Sequence, residues 1–130
     1  MSERVLIQTV RRSADARGFV FEPLEVAELP HQRNCHVVVT EPGAVRGNHH
    51  HPRGTEVLVV AGPAHVRCRE EGAMVDTDVP AGTVMRFTIP PGVAHAVRNT
   101  GGAPLLLVGF NTVEMTAEAP NTVRDVILEP

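Results

Sequence analysis

Three consecutive histidines and a nearby glutamate lie in the stretch GNHHHPRGTE, residues 47–56. In an extended strand successive side chains point to opposite faces, so His49 and His51 share one face and His50 lies on the other. Glu56 follows a proline and a glycine that predict a turn, which can return its carboxylate to the first face. These residues indicate a mixed nitrogen and oxygen site, with a solvated histidine-rich turn as the alternative.

The segment IPPGVAHAVRN, residues 89–99, carries a further histidine in a setting that fixes its approach. Pro-Pro-Gly predicts a tight turn at the end of one strand, and His95 lies near the start of the next. His95 therefore offers a fourth donor from a distant part of the chain. Donor side chains in two separate segments favour a site over a solvated turn.

Both segments resemble motifs of the cupin superfamily, G-x5-H-x-H-x3,4-E-x6-G and G-x5-P-x-G-x2-H-x3-N. The matching positions are Gly43, His49, His51, Glu56 and Gly62 in the first motif, and Pro90, Gly92, His95 and Asn99 in the second. Two spacings differ, because five residues separate Glu56 from Gly62 and seven residues separate Gly82 from Pro90. The resemblance implies a double-stranded β-helix, the cupin jelly-roll barrel. It also implies four metal ligands: His49, His51, Glu56 and His95.

The implied donor set suits a divalent transition metal such as Zn, Fe, Mn or Ni, and it does not identify which one. In an octahedral ion these four ligands leave two positions for water or substrate. Such a site is open and fits catalysis or ligand binding. An empty or storage cupin barrel is the alternative.

A narrower resemblance concerns cupins that act on nucleotide sugars, the RmlC-like epimerases and isomerases. Val45-Arg46-Gly47-Asn48-His49 resembles their Arg-Gly-x-His signature, as found also in the C-terminal cupin domain of capsular-polysaccharide reductases. The stretches at residues 15–18 and 120–122 resemble their Asp-x-Arg-Gly and late Pro-Asn-Thr segments. The resemblance implies a metal-dependent epimerase or isomerase of a keto-sugar, with Arg46 and Arg98 binding substrate phosphates.

One residue of those epimerases has no counterpart, since they pair a histidine base with a tyrosine acid and this chain contains no tyrosine. We therefore expect Glu56 and His51 to serve as catalytic groups beside the metal, with a metal-bound water as the alternative base. Two other functions remain open. The same ligands would support an Fe(II) dioxygenase, and a non-catalytic cupin would only bind a small ligand or sugar.

The elements that must position these residues are short strands. Eleven glycines and eleven prolines are dispersed along the chain and separate runs rich in β-branched residues, which predicts an all-β protein. With 130 residues we expect one domain, 1–130. The predicted strands are residues 5–10, 18–22, 36–40, 56–61, 64–69, 84–89, 94–99, 105–111 and 124–128.

Two predicted strands are apolar throughout, residues 57–60 and 105–108. Strands of this kind are covered on both faces, by the opposite sheet or by a second subunit, so we expect a homodimer. We expect the ligand pocket at the barrel end where Glu56, His95 and Arg46 converge, with His36, His65 and Arg98 as candidates for its rim. Surface positions are the commoner outcome for such histidines.

Composition excludes several partners. The formal net charge is −3, and the chain has four Phe and no Trp or Tyr, which disfavours nucleic-acid binding. No apolar run is long enough to span a bilayer, and the N-terminus lacks a leader pattern, so we expect a cytoplasmic protein with a small-molecule substrate. Cys35 and Cys68 form no CxxC pair and are expected to be reduced core residues.

Overall fold

The computed structural model describes residues 4–130, so residues 1–3 of the predicted domain lie outside it. This part of the chain forms twelve strands and a single turn of 3₁₀ helix at Leu29–His31. The strands are β1 (Leu6–Thr9), β2 (Arg12–Asp15), β3 (Gly18–Phe21), β4 (Asn34–Thr40), β5 (Val45–His50), β6 (Glu56–Ala61), β7 (Ala64–Glu70), β8 (Ala73–Val79), β9 (Val84–Ile89), β10 (His95–Asn99), β11 (Leu105–Asn111) and β12 (Val123–Arg124). None of its helices is long and apolar enough to cross a membrane.

Two five-stranded antiparallel sheets make up the body of the protein. The first sheet has the order β1-β9-β6-β11-β4, and the second has the order β12-β5-β10-β7-β8. From β4 to β7 the chain alternates between the sheets, which is the path of a jelly roll. β2 and β3 form a separate hairpin. The predicted all-β class is confirmed.

The core lies between the two sheets, and β6 shows how it is covered. Leu58 and Val60 point inward and pack with residues of the second sheet such as Val66 and Val97. Val57 and Val59 point outward and belong to a second cluster with Val10, Leu24 and Phe110. The apolar character of β6 is therefore explained by its own chain, because residues preceding β4 cover its outer face.

The strand predictions miss three strands, β2, β5 and β8. β8 reads AMVDTDV, in which two aspartates on the solvent face interrupt the apolar pattern. The predicted strand 124–128 is wrong beyond its start, since only Val123–Arg124 pairs with β5. The chain after β12 is held instead by the side chain of Asn48, which accepts hydrogen bonds from the Ile127 and Leu128 amides at 3.0 Å each.

The two cysteines separate into different environments. Cys68 is buried on the inner face of β7, and burial raises the pKa of its thiol to about 12, which keeps it an inert thiol. The prediction that Cys35 is a core residue is wrong, because Cys35 is exposed. On β4 its neighbour His36 points inward, and alternation then places Cys35 outside.

Candidate functional site

Three imidazoles converge at one end of the barrel. One ligand atom of each of His49, His51 and His95 lies within 4.8 Å of the others. An ion bound at about 2.0–2.2 Å separates its ligand atoms by at most about 4.4 Å, so small shifts would complete the coordination. In residues 4–130 no other group of three metal-ligating side chains meets in this way.

His49, His51 and His95 come from adjacent segments of the second sheet. His49 lies in β5 directly opposite His95, the first residue of β10. His51 follows the end of β5, and its carbonyl accepts a hydrogen bond from the Gly92 amide at 2.8 Å. His50 points away from the centre, and its Nδ1 lies 3.3 Å from Asp125 Oδ2.

A β-bulge in β5 sets which side chains face the centre. His49 pairs with His95 and Gly47 pairs with Ala96, so Asn48 is an extra residue with φ of 56°. Simple alternation would place Arg46 and His49 on opposite faces, whereas the bulge brings both to the cavity. Gly47 has φ of 88°, and a Cβ there would lie 2.7 Å from the His95 carbonyl oxygen. The bulge therefore requires glycine.

Glu56, the fourth predicted donor, is the first residue of β6 in the facing sheet. Its Oε1 lies 3.1 Å from His51 Nε2, and its Oε2 lies 2.8 Å from His95 Nε2. Burial works to raise the pKa of Glu56, but hydrogen bonds with His51 and His95 together lower it well below its ordinary value. A buried carboxylate that remains ionised at neutral pH is an oxygen donor for a cation.

Backbone carbonyls orient two of the imidazoles. His51 Nδ1 donates to the carbonyl oxygen of Asn121 at 2.8 Å, and His95 Nδ1 donates to that of Val93 at 3.1 Å. Because Nδ1 of each ring donates to a carbonyl, the Nε2 atom beside Glu56 is the one that would bind a metal after losing its proton, as in most metal-bound histidines. These residues therefore fit a divalent transition metal, both in donor type and in orientation.

His49 is held neutral by its surroundings. Burial, and after it the nearby His95 and His51, lower its pKa to about 4. His51 differs, because burial lowers its pKa while the contacts with Glu56 raise it above the ordinary value. A neutral imidazole is the form that binds a metal, so His49 needs no proton displaced at neutral pH.

A small cavity of about 50 Å³ opens beside the donors. Arg46 lines it, is exposed, and donates from Nη2 to the carbonyl oxygen of Val39 at 3.0 Å. Arg98 is not brought to this cavity, because on β10 it faces the opposite side and donates to the carbonyl oxygen of Glu129. Arg98 therefore lies outside this cavity, and its role in substrate binding stays a prediction.

A larger cleft, of about 680 Å³, lies away from the donors between the β2–β3 hairpin and the first sheet. Arg86 in its wall is already bonded, donating from Nε to the Pro23 carbonyl at 2.8 Å. The cleft contains none of the convergent imidazoles. Because chemistry requires reactive groups, the small cavity is the candidate site despite its size.

Of the two histidines predicted at the rim, one lies inside the barrel and the other on its outer surface. His36 lines the cavity beside the donors. His65 lies on the outer face of β7, where Nδ1 meets Asp78 and Nε2 meets Asp76, each at 2.8 Å. Asn121, which orients His51, lies in the Pro-Asn-Thr segment noted in the sequence, but no local pattern indicates that its carbonyl contacts a ligand.

The chain matches one family model, described as the polysaccharide biosynthesis C-terminal domain, over residues 13–123. The spore coat polysaccharide biosynthesis protein SpsL of Bacillus subtilis (strain 168) is 28% identical over 134 residues, which cover 95% of this chain and 89% of SpsL.

Solved structures share the fold. A dTDP sugar isomerase from Desulfovibrio desulfuricans G20 has a TM-score of 0.75 at 17% identity, covering 95% of this chain and 84% of its own. QdtA, a sugar 3,4-ketoisomerase from Thermoanaerobacterium thermosaccharolyticum in complex with TDP, has a TM-score of 0.69 at 14% identity. The match covers 93% of this chain and 88% of QdtA. A QdtA mutant is described in complex with TDP-4-keto-6-deoxyglucose.

The capsular polysaccharide assembling protein CapF from Staphylococcus aureus has a TM-score of 0.67 at 21% identity over 91% of this chain. The matched region is 33% of CapF, so this chain spans about a third of that protein. The predicted cupin jelly roll is confirmed by these shared folds. The chain belongs to the polysaccharide biosynthesis C-terminal domain family.

Proposed function

We propose that this protein is a metal-dependent isomerase or epimerase of a nucleotide-linked keto-sugar. The observation that carries the proposal is the convergence of three imidazoles and an ionised carboxylate beside a cavity lined by Arg46. Support for the substrate class comes from the family and from the names of QdtA and the dTDP sugar isomerase, which share the fold.

The proposed metal ligands are His49, His51, His95 and Glu56. When bound, a divalent ion would polarise a carbonyl oxygen of the substrate and make the neighbouring C–H bond more acidic. The protein prepares the ligands beforehand, because the carbonyls of Asn121 and Val93 fix two rings and burial keeps the third neutral. Loading the protein separately with zinc, iron, manganese and nickel distinguishes which of these metals supports the reaction.

Arg46 is the proposed contact for the diphosphate of the substrate. Its guanidinium is exposed at the cavity, and one Nη2 hydrogen bond to the Val39 carbonyl leaves other N–H groups available. A planar guanidinium can donate two parallel hydrogen bonds to phosphate oxygens. The nucleotide would therefore lie outside the small cavity, with the sugar directed at the donors.

The experiment follows deuterium incorporation into TDP-4-keto-6-deoxyglucose in D₂O by proton NMR, with untagged protein loaded with each metal. We expect exchange at a carbon next to the carbonyl, and background rates for the His95→Ala variant. The His65→Ala variant is the matched control, because that histidine lies on the outer face of β7.

No exchange in TDP-, UDP- or GDP-linked keto-sugars with any of these metals would contradict the proposal. Oxygen consumption by the Fe(II) form without exchange would instead identify the dioxygenase alternative. Nucleotide binding without turnover would identify a sugar-binding module.

We also propose that the protein is a homodimer located in the cytoplasm. Support for the dimer comes from Val37, Val39 and Leu106, which are 58%, 50% and 54% exposed on the outer face of the first sheet. Val39 and Leu106 are directly paired between β4 and β11, so the apolar residues form one patch. The cytoplasmic location remains a prediction of the sequence.

A further inference from the structure

One histidine lines the cavity without belonging to the donor set. His36 lies on the inner face of β4, and its ring lies over Gly109 of the neighbouring β11. A Cβ at position 109 would lie 2.5 Å from His36 Nε2. The close approach means that glycine at 109 makes room for the ring at this position.

The hydrogen bonding of His36 specifies which nitrogen is available. Nδ1 donates a hydrogen bond to Asn34 Oδ1 at 3.0 Å, so the ring proton lies on Nδ1. The lone pair then lies on Nε2, the acceptor position of a neutral imidazole. Within residues 4–130 no hydrogen bond engages Nε2. His36 is thus oriented as a proton acceptor beside the cavity.

The other titratable groups of the cavity have different tasks under the proposed function. His49, Glu56 and His95 would have their inward atoms occupied by the metal, and His51 likewise, which leaves none of them free to carry a proton. Arg46 is a guanidinium, which donates hydrogen bonds and has no lone pair to accept a proton. Among the described residues of the cavity lining, His36 is the group that has a free nitrogen lone pair and lies outside the ligand set.

We propose that His36 is a catalytic residue that takes the proton from the carbon next to the substrate carbonyl. This inference rests on the proposed function. The C–H bond breaks, its proton forms a bond to Nε2, and the electron pair moves onto the carbonyl oxygen to give an enolate. Returning the proton to carbon regenerates neutral His36, so the cycle needs no further reactant. Asn34 is a positioning residue that holds the tautomer.

The test compares deuterium exchange for wild-type, His36→Gln and His36→Ala proteins, with metal content measured on the same samples. We expect exchange to fall by about 10²–10⁴-fold, the range for removal of a general base. Metal content should remain at the wild-type level. Added imidazole should partly restore exchange to His36→Ala, a rescue that a purely structural role would not give. His31→Gln is the matched control, since that histidine is exposed.

A second variant approaches the same residue from β11. Gly109→Ala would press on the His36 ring and is expected to slow exchange while the metal remains bound. If the wild type exchanges deuterium and His36→Gln retains more than a third of its rate, the role of His36 is overturned. The proposed function would still stand. Loss of metal from His36→Gln would overturn the role of His36 too, by making the residue a ligand or a support. A wild-type protein that exchanges no keto-sugar would overturn both.

Discussion

At the scale of single residues, Gly47 and Asn48 decide the geometry of the site. Positive φ angles of 88° and 56° produce the bulge that turns Arg46 and His49 to the same cavity. Strand periodicity predicts that His49 and His51 share a face, but it cannot predict that Arg46 joins them. At a bulge the alternation of side chains between the two faces of the strand shifts by one residue, and only backbone geometry reveals that shift.

Replacing Gly47 by alanine tests the bulge. The left-handed conformation disfavours any L side chain by about 1–2 kcal/mol, and a Cβ 2.7 Å from the His95 carbonyl adds a backbone collision. We expect a further loss of about 1–3 kcal/mol in the free energy of unfolding and metal affinity about 10–100-fold weaker. Urea unfolding and metal titration measure the two effects.

Gly43→Ala is the control for Gly47→Ala, because Gly43 also has a positive φ, 78°, but a Cβ there meets nothing within 4 Å. Gly43→Ala should lose only the stability that a side chain in the left-handed conformation costs, and it should bind metal normally. Equal effects of the two substitutions on metal affinity would show that the bulge does not position the ligands.

At the scale of elements, the C-terminal segment after residue 120 supports the site from outside. Asn121 is 2% exposed, and its side chain exchanges two hydrogen bonds with the Arg53 backbone, at 3.0 and 2.7 Å. Its carbonyl orients His51. The segment has little regular structure, so the periodicity that identifies β6 and β11 could not predict its contacts.

Asn121→Ala should therefore weaken metal binding although none of the proposed metal ligands is changed. Without its side-chain bonds to Arg53, the Asn121 carbonyl is less firmly held against His51 Nδ1. We expect about 10–100-fold lower affinity, the usual effect of removing support behind a ligand, in a competition titration with a chelator. Val126→Ala, an exposed position in the same segment, is the control. Unchanged metal affinity in both variants would show that this segment does not support the site.

The β7–β8 hairpin carries a pH-dependent contact. Hydrogen bonds to Asp78 and then Asp76 raise the pKa of His65, against the effect of burial. A raised pKa in the folded state stabilises the fold below the unfolded value of about 6.5, and this stabilisation is lost as pH rises through the folded pKa.

His65→Gln should accordingly destabilise the protein more at pH 5.5 than at pH 9, by about 0.5–1 kcal/mol for a partly exposed pair. Urea unfolding of both proteins at the two pH values measures the difference. A destabilisation that is equal at both values, or larger at pH 9, would show that the charged imidazole contributes nothing.

At the scale of the whole molecule, the two-sheet barrel follows from features visible in the sequence, whereas its outer surfaces do not. The apolar run in β6 marks a strand covered on both faces, but the cover is residues 10–24 of the same chain rather than a second subunit. The same pattern in β11 leaves Leu106 exposed. Periodicity identifies apolar faces and cannot say which part of the molecule covers them.

The exposed patch of Val37, Val39 and Leu106 gives a test of the dimer. Val39→Glu would place a charge in a buried apolar contact between two subunits, so we expect light scattering to report a monomer where the wild type is a dimer. Met74→Glu, at a residue 46% exposed on β8, should leave the mass unchanged. A wild-type monomer, or a Val39→Glu dimer, would contradict this assembly.

The most direct test of the proposed metal site is the metal content of untagged protein. Elemental mass spectrometry measures it for the wild type and for the His51→Ala, His95→Ala double variant. We predict about one divalent transition metal ion per wild-type chain and almost none in the double variant. Circular dichroism should show the double variant still folded, because the apolar strands supply most of the burial. Full stoichiometry in the folded double variant would contradict the assignment of this site.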